Sequence, residues 1–461
     1  MRLQLLYDIS PVFVQNLMVT AKGYRLKRYR YGNIYRKHLC FLMRFYRQNR
    51  CEQLEYQKRE LVKLIRYVGE NSSFYRELYS GVDLNSISGV EDLTKLPIVT
   101  KEMLRENIER VVTIPKRSRD ASYTGGTTGM ALTVYHNRAD CQERMATLDA
   151  FKALNGFKNI KMRRATFSGK HIIPPKRKSK VFWRYNAAIR QMLYSSFHIT
   201  DQTCTLYIDS LNRFRPTAID GFVSSITELA NFINRKKVKL LFKPKAVFTT
   251  AETLTLQMRK EIEKAFSCNV RDQYASSEGA PFIWECTHGS LHYDLSSGVI
   301  ENMENSDEVL VTSFTTYGTP IVRYRIGDVI RFAPREKTCT CGLASPLVEA
   351  IEGRAVDYLV STTGARINLG NISNIVKNTS NAIVRAQFIQ TARDVINVLI
   401  VVDDKIYRNE YSSHLVEEIH RRFGADMHVS INVVEDIPRS DSGKHMLIVN
   451  RIGNRSRNAV S

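Results

Sequence analysis

The chain has 461 residues, 43% of them apolar, and an excess of Lys and Arg that gives a formal net charge of +22. That is long enough for two domains and apolar enough for buried cores, so a globular protein is expected. No stretch approaches the roughly 18 to 20 uninterrupted apolar residues of a membrane span, the first residues lack the ordered regions of a secretory leader, and eight cysteines are too sparse for a disulfide framework.

Residues 1–110 are expected to be mainly helical, with Leu54, Leu61, Leu64, Ile65 and Val68 recurring near a 3.6-residue period. Much of the positive charge falls here, from Lys22 to Arg50, interleaved with Tyr24, Tyr29, Tyr31, Tyr35, Phe41 and Phe45; a second basic run spans Lys158 to Arg184. Such surfaces attract anions of several kinds, including nucleic acid, anionic lipid and phosphate-rich cofactors. No nucleic-acid-binding motif accompanies the charge, so specific nucleic-acid binding is not expected. A merely soluble basic face and a contact with a membrane surface or acidic glycan both stay open. The expected location is cytoplasmic, with peripheral attachment at the inner face of the membrane as the variant that the basic N-terminal region suggests.

Further along, LPIVTKEML offers a helix start with Thr100 as N-cap. Residues 120–350 alternate short apolar runs with amphipathic helical patterns: TELANFINRKK precedes a strand in KPKAVFTTAETL, and LQMRKEIEKAFS precedes another in NVRDQYASSEG. This alternation predicts parallel βα units. Glu308 to Arg331 instead contains two β-rich runs joined through Tyr317-Gly318-Thr319-Pro320, which predicts an antiparallel or barrel-like element. After about residue 352 the pattern starts afresh with a Gly-Arg turn, a hairpin around Thr363-Gly364, a helix from about Asn371, strands near 383–402, a helix near 408–422 and a final strand. The expected division is a helical region over 1–110 packed on the large domain, a core over 111–352, and a small α+β unit over 353–461.

The most informative segment is SYTGGTTGMALT, Ser122 to Thr133. Thr124, Gly125, Gly126, Thr127, Thr128 and Gly129 carry no bulky side chain, so backbone N–H groups and threonine hydroxyls can face phosphate oxygens. Leu132, Val134 and Tyr135 alternate as a strand does, which makes this a loop between two strands. The Walker pattern requires Gly-Lys-Ser/Thr opening a helix, and Met130 follows Gly129, so a P-loop NTPase is a poor match. Downstream, Tyr274-Ala275-Ser276-Ser277-Glu278 ends a strand with an aromatic, two hydroxyls and a carboxylate, suited to stacking a base and holding Mg²⁺ beside a phosphate. Tyr324-Arg325-Ile326-Gly327-Asp328 puts a carboxylate at a tight turn, where it can accept both hydroxyls of a ribose. Gly353-Arg354 through Asp357 is a turn, and Arg439-Ser440-Asp441-Ser442-Gly443-Lys444 is a polar loop presenting one lysine.

In that order and spacing these motifs resemble those of the adenylate-forming superfamily of acyl-CoA synthetases, peptide-synthetase adenylation domains and luciferases. The chain is most similar to the phenylacetate-CoA ligase-like family, in the branch associated with capsular and other surface polysaccharide gene clusters; RYRYGN, LPIVTK, FWRYNAAIRQMLYSSFHIT and RPTAIDGFVSSITELA carry the branch likeness. The resemblance implies a large α/β domain and a mobile α+β C-terminal lid, and chemistry in two halves. A carboxylate attacks the α-phosphate of ATP to give an acyl-adenylate and pyrophosphate, and a thiol or amine then displaces AMP. It also implies that Tyr274 stacks on adenine with Ser276 beside it, Glu278 binds Mg²⁺, Asp328 holds the ribose, Arg354 contacts the nucleotide, and Lys444 reaches the charge developing between carboxylate and α-phosphate.

Two departures from the pattern stand out. The loop lacks the Pro-Lys-Gly continuation common in the superfamily, as the phenylacetate-like branch often does. The hinge usually reads Gly-Arg-x-Asp-Asp, and here Val356 precedes Asp357 where the pivot acid is expected, which makes transfer to the thiol less certain than adenylation. The acceptor implied is coenzyme A; an amine of an amino acid or amino sugar on a polysaccharide precursor is the alternative, and a non-catalytic component of polysaccharide machinery is a further one. The substrate is a small-molecule carboxylic acid that the sequence does not name. Phe167, Phe197, Phe222 and Phe248 hint at an aromatic-tolerant pocket, with core packing as the default. Finally, Cys339-Thr340-Cys341 with Cys286 and His292 offers four N/S ligands for a structural Zn²⁺, with His288 as an alternative to His292. Cys-x-Cys spacing alone is weak; members of the resembled family with a Cys, His, Cys, Cys set at matching positions strengthen it.

Overall fold

The computed structural model describes residues 2–123, 132–173, 180–354, 358–362, 366–368, 372, 375–376, 379–380, 382–439 and 446–452. The N-terminal region is helical as expected, with long helices over Val12–Arg30, Asn33–Phe45 and Arg50–Asn71. The last starts at a capping box in which the Asn49 side chain accepts from Glu52 N and the Glu52 carboxylate accepts from Asn49 N. Leu61, Leu64, Ile65 and Val68 are fully buried on one face, each contributing about 2 kcal/mol of apolar burial; Leu54, assigned to the same stripe, is exposed. Thr100 caps helix Lys101–Glu106 by accepting from Met103 N.

A hairpin of β1 (Asp120–Tyr123) and β2 (Thr133–His136) follows. The βα alternation then builds a six-stranded sheet from β3 (Arg164–Ser168), β4 (Trp183–Asn186), β5 (Gln191–Ser195), β6 (Ala218–Phe222), β7 (Ala246–Thr250) and β8 (Val270–Arg271), in the order β4-β5-β3-β6-β7-β8. All neighbours are parallel except β4 and β5. Helices Val223–Lys236 and Leu256–Phe266 bury Ile226, Leu229, Ile233, Ile262 and Phe266 against it. Phe167 and Phe248 are fully buried in these cores, as the packing default predicted.

The chain then turns to antiparallel pairing. Strands β9 (Gln273–Tyr274), β10 (Ile283–Glu285), β11 (Leu291–Tyr293), β12 (Gly298–Asn302), β13 (Glu308–Ser313), β14 (Tyr324–Phe332) and β15 (Leu347–Arg354) form a seven-stranded sheet ordered β12-β13-β14-β15-β11-β10-β9. Helix Arg50–Asn71 is tied to this sheet by Gln57, whose Nε2 donates to Tyr293 Oη at 2.8 Å and to the Gly298 carbonyl at 2.7 Å. The LPIVT segment runs beside β14, with Val99 N donating to Arg323 O and Arg325 N to Val99 O.

Gly353 and Arg354, expected in a turn, are instead the last paired residues of β15, where Arg354 stands opposite Asp328. The C-terminal unit contains the expected hairpin, β16 (Tyr358–Val360) and β17 (Arg366–Asn368); its tip, Thr363-Gly364, lies outside the described residues. It also has a four-stranded sheet, β20 (His428–Val433), β19 (Val395–Val402), β18 (Ile383–Ala392) and β21 (Ile448–Asn450), with helix Glu410–Phe423 packed against it. Two strands follow that helix where one was expected, because β21 is a three-residue strand beyond the lysine-bearing loop.

Candidate active site

The expected phosphate loop, including Thr124, Gly125, Gly126, Thr127, Thr128 and Gly129, lies outside the described residues, but both of its strands are in place. Tyr123 pairs with Thr133 at the hairpin end, so the loop joins two antiparallel strands as predicted. The base of the hairpin is strapped to the segment joining β13 and β14. Tyr135 N donates to Thr319 Oγ1 at 2.8 Å, and that hydroxyl donates back to Tyr135 O at 3.0 Å. A Cβ at Gly318 would stand 2.5 Å from the same carbonyl, which is why this turn needs glycine.

Asp140 fixes the other side of the turn. It closes the capping box of helix Arg138–Leu154 with Asn137 and also accepts from Tyr317 N at 3.1 Å and Gly318 N at 2.8 Å. A buried carboxylate receiving several backbone N–H groups holds the hairpin, the helix start and the 317–319 turn as one unit.

The next residues back along this segment meet the Tyr274–Glu278 motif. A Cβ at Gly279, which has φ +91°, would lie 2.3 Å from Thr316 Cγ2 and 3.1 Å from Arg144 Nη1, so Glu278 sits beside both. Arg144, on helix Arg138–Leu154, donates to Ser276 O at 2.7 Å and Ser277 O at 3.4 Å. The Ser276 hydroxyl accepts from Gly279 N and Ala280 N and shapes the turn that presents Glu278. Glu278 is buried and forms no salt bridge among the described residues, while the Arg144 guanidinium lies close enough to feel its charge. At the start of the motif, Tyr274 Oη donates to Asp328 Oδ2 at 2.6 Å. Asp328 was expected at a tight turn and lies inside β14 instead. The neighbouring Gly327, at φ +81°, interrupts the strand without ending it. The structure therefore brings together Tyr274, Ser276, Glu278, Asp328 and the Arg354 backbone. Val356, Asp357 and Lys444 lie outside the described residues.

Arg144 also points Nη1 at His136 Nε2, 3.3 Å away. Guanidinium can only donate, so Nε2 is the bare nitrogen. Burial, and secondarily Arg144, pushes His136 down from 6.5 to about 3. The folded protein keeps this ring neutral while the unfolded chain protonates it near pH 6.5. The stability it contributes is complete above that pH and is lost as pH falls through the window toward 3, at up to about 1.4 kcal/mol per pH unit. A His136→Gln variant should show a flatter fall in thermal midpoint below about pH 6.5; an acid limb as steep as the parent's would show that other groups set it.

A crevice is marked by topology. The connections of the parallel sheet reverse between β3 and β6, the place where open α/β sheets bind ligands at the carboxyl ends of strands. There the strands approach closely: a Cβ on Gly221 would meet Phe167 O at 1.9 Å. His198, at the end of β5, is half-buried, bonded through Nδ1 to Ser195 Oγ at 2.7 Å and stacked on Phe182.

The C-terminal unit reaches this end of the sheet through ion pairs. Glu228, half-buried on helix Val223–Lys236 with its side chain 10% exposed, lies between Arg439, to which it is hydrogen-bonded, and Arg385, whose Nε is 3.4 Å away. Arg439 also approaches Ile199 O at 3.5 Å. Asp403 pairs with Arg235 and Lys236 of the same helix at 3.4 and 3.5 Å. Arg144, Asp140 and Glu228 escaped the sequence reading, and Arg439 entered it only as the first residue of the Lys444 loop, since nothing local separates them from other charged residues.

Away from this crevice, Cys286, His292, Cys339 and Cys341 converge, with their ligand atoms all within 4.8 Å of one another. Cys286 Sγ and Cys339 Sγ are 3.7 Å apart, too far for a disulfide, and Cys341 Sγ lies 3.4 Å from His292 Nε2. A zinc tetrahedron with ~2.3 Å Zn–S and ~2.0 Å Zn–N bonds has edges of about 3.5 to 3.8 Å, so the donor set fits. Backbone N–H groups of His288 and Cys341 point at Cys286 Sγ and Cys339 Sγ, as they do around bound thiolates. Of the two histidines considered, His292 joins the cluster; His288 bonds its neighbour Thr287.

Residues 359–451 match the family described as CapK C-terminal domain. The chain is 35% identical over 459 residues to Protein CapK of Staphylococcus aureus, covering 98% of this chain and 100% of that one. Phenylacetate-coenzyme A ligase of Pseudomonas putida is 22% identical over 346 residues, 68% of this chain and 72% of that one. Among solved structures, 2-hydroxyisobutyryl-CoA ligase in its postadenylation state, with R3-HIB-AMP, superposes with a TM-score of 0.70 at 16% identity, over 87% of this chain and 90% of that one. The same ligase in the thioesterification state, with 2-HIB-AMP and CoA, reaches 0.53 over 87% and 91%.

Proposed function

The chain belongs to the CapK family, and from that premise we propose that it is an ATP-dependent carboxylate-activating enzyme that forms an acyl-adenylate with release of pyrophosphate and passes the acyl group to coenzyme A. The observation that carries this reading is the Tyr274–Asp328 hydrogen bond, set beside Glu278 on a turn that is packed against the same 313–319 segment as the base of the phosphate loop.

The roles we assign are these. The bond to Asp328 fixes the plane of the Tyr274 ring, which offers its face to adenine, while the Asp328 carboxylate accepts from the ribose hydroxyls. The Thr124–Gly129 segment, held at both ends, supplies N–H and hydroxyl donors to the phosphates. Glu278, buried and without a salt bridge among the described residues, is an anionic oxygen ligand of the kind Mg²⁺ takes. Mg²⁺ held there would offset phosphate charge. Arg144, clamped to Ser276 O and Ser277 O, keeps that carboxylate in place. The acid enters at the β3–β6 crevice, and residues 353–461 act as the lid that carries Lys444. Screening purified protein against a panel of carboxylic acids should reveal acid-dependent pyrophosphate release, and a thioester when coenzyme A is added. Absence of release with every acid would overturn the assignment; release without thioester would remove coenzyme A as acceptor.

The Cys286, His292, Cys339 and Cys341 set is assigned to a structural Zn²⁺, which would tie the connector between β14 and β15 to the β10–β11 hairpin. About one zinc per chain is expected in purified protein. Replacing Cys339 and Cys341 together by serine should remove it and lower the thermal midpoint by several degrees; a metal-free parent protein would sink the assignment.

A further inference from the structure

Helix Val12–Arg30 has two faces with different tasks. Its inner face is fixed to the edge of the parallel sheet. Gln15 is buried and accepts from Arg184 Nε at 2.6 Å, Asn16 Oδ1 accepts from Tyr185 N at 2.9 Å, and Thr20 Oγ1 bonds both Tyr185 O and Ala187 N. Its outer face has no cover. Phe13, Leu17 and Tyr24 are 66%, 65% and 58% exposed, and Leu6 and Ile9 of the preceding helix Arg2–Ile9 are 53% and 72% exposed. At 3.6 residues per turn, Phe13, Leu17 and Tyr24 fall within about 40° of one another and point away from Gln15, with Thr20 at the border of the same stripe, where its hydroxyl reaches β4. Isolated exposed apolar residues are ordinary, but three on one stripe of a helix, with two more exposed on the helix just before it, form a patch.

The charge beside this patch identifies what covers it. Val12–Arg30 contains five cations, Lys22, Arg25, Lys27, Arg28 and Arg30, and no carboxylate. Among the described residues none of the five pairs with an acid. We propose that this helix pair is an in-plane docking surface for an anionic lipid bilayer. Phe13, Leu17, Leu6 and Ile9 enter the boundary between headgroups and acyl chains, and Lys27 and Arg28, which flank the apolar stripe at 3.6 residues per turn, meet the phosphates. A second copy of the chain is a poor occupant, since it would bring the same uncompensated cations against these. No helix among the described residues is long and apolar enough to cross a membrane, so the contact is peripheral. Because the inner face is pinned, the surface is presented by the folded protein and requires no refolding of the helix.

Cosedimentation of the full chain with vesicles tests this. With phosphatidylglycerol mixed into phosphatidylcholine, the parent protein should bind, and binding should weaken as salt rises; with phosphatidylcholine alone it should bind at least about tenfold less. Phe13→Glu combined with Leu17→Glu should reduce binding to the anionic vesicles by about tenfold or more with an unchanged thermal midpoint, since both side chains already face solvent. Lys27→Glu with Arg28→Glu, which leaves the apolar edge intact, should do the same. No binding to anionic vesicles at physiological salt, equal binding to neutral ones, undiminished binding by the Phe13/Leu17 variant, or a dimer in sedimentation equilibrium that this variant dissociates would each overturn the proposal, the last in favour of self-association.

Discussion

Replacing Lys444 by alanine is expected to lower acid-dependent pyrophosphate release by about 10²- to 10³-fold, the usual loss when one donor to developing charge is removed. Thermal unfolding should be unaffected. The residue lies outside the described segments, yet both flanks of its loop are anchored. Arg439 is buried against Glu228 and reaches the Ile199 carbonyl, just past the carboxyl end of β5. On the other side, Met446 O accepts from Gln387 Nε2 at 2.9 Å on β18. The loop therefore starts at the end of the sheet where the acid is proposed to bind. An ammonium brought there can neutralise the charge that builds as the carboxylate attacks phosphorus. Release within a few-fold of the parent rate would remove Lys444 from the reaction.

The second large effect is expected at Glu228, which belongs to neither the nucleotide nor the acid site. Its carboxylate is shared by two arginines of the C-terminal unit, all three side chains being at most 10% exposed. Breaking a buried ion pair by removing one partner costs about 3 to 5 kcal/mol. Here the protein can escape that cost by undocking the two units rather than by unfolding. A Glu228→Ala variant should therefore lose adenylation by about 10²-fold while its thermal midpoint changes little, because the docked population falls and the cores stay intact. Transfer from a supplied acyl-adenylate to coenzyme A should be spared. If both half-reactions decline together with the midpoint, Glu228 has only a structural role.

What the sequence disclosed, and what it withheld, follows from how local each signal is. The βα units were legible because helix and strand periodicities differ and alternate over short distances. Tyr274, Glu278 and Asp328 were legible as candidates because each sits in a short distinctive string, and the fold bonds Tyr274 to Asp328. Their backbone setting was less so. Gly327-Asp328 and Gly353-Arg354 both looked like turns, since glycine beside a polar residue usually marks one, yet Asp328 pairs with Arg354 and Val329 with Gly353 across β14 and β15. Cross-strand pairing overrode the local preference. Arg144 is one of 68 Lys and Arg residues, and only the fold shows that it clamps the Ser276 and Ser277 carbonyls. The choice between His288 and His292 rested on hairpin register, which places His292 opposite Trp284 and beside the thiols.

The contact between helix Val12–Arg30 and β4 carries one more implication. A sheet edge left bare is a template for any other extended chain. Here the β4 edge is closed by borrowed groups, Asn16 and Thr20, which take the hydrogen bonds another strand would make with Tyr185 and Ala187. A version of the protein shortened to begin after this helix would keep its catalytic motifs and its cores but would carry an adhesive border. Such a fragment would be prone to stacking into aggregates, a hazard for any truncated form made for assay or crystallisation.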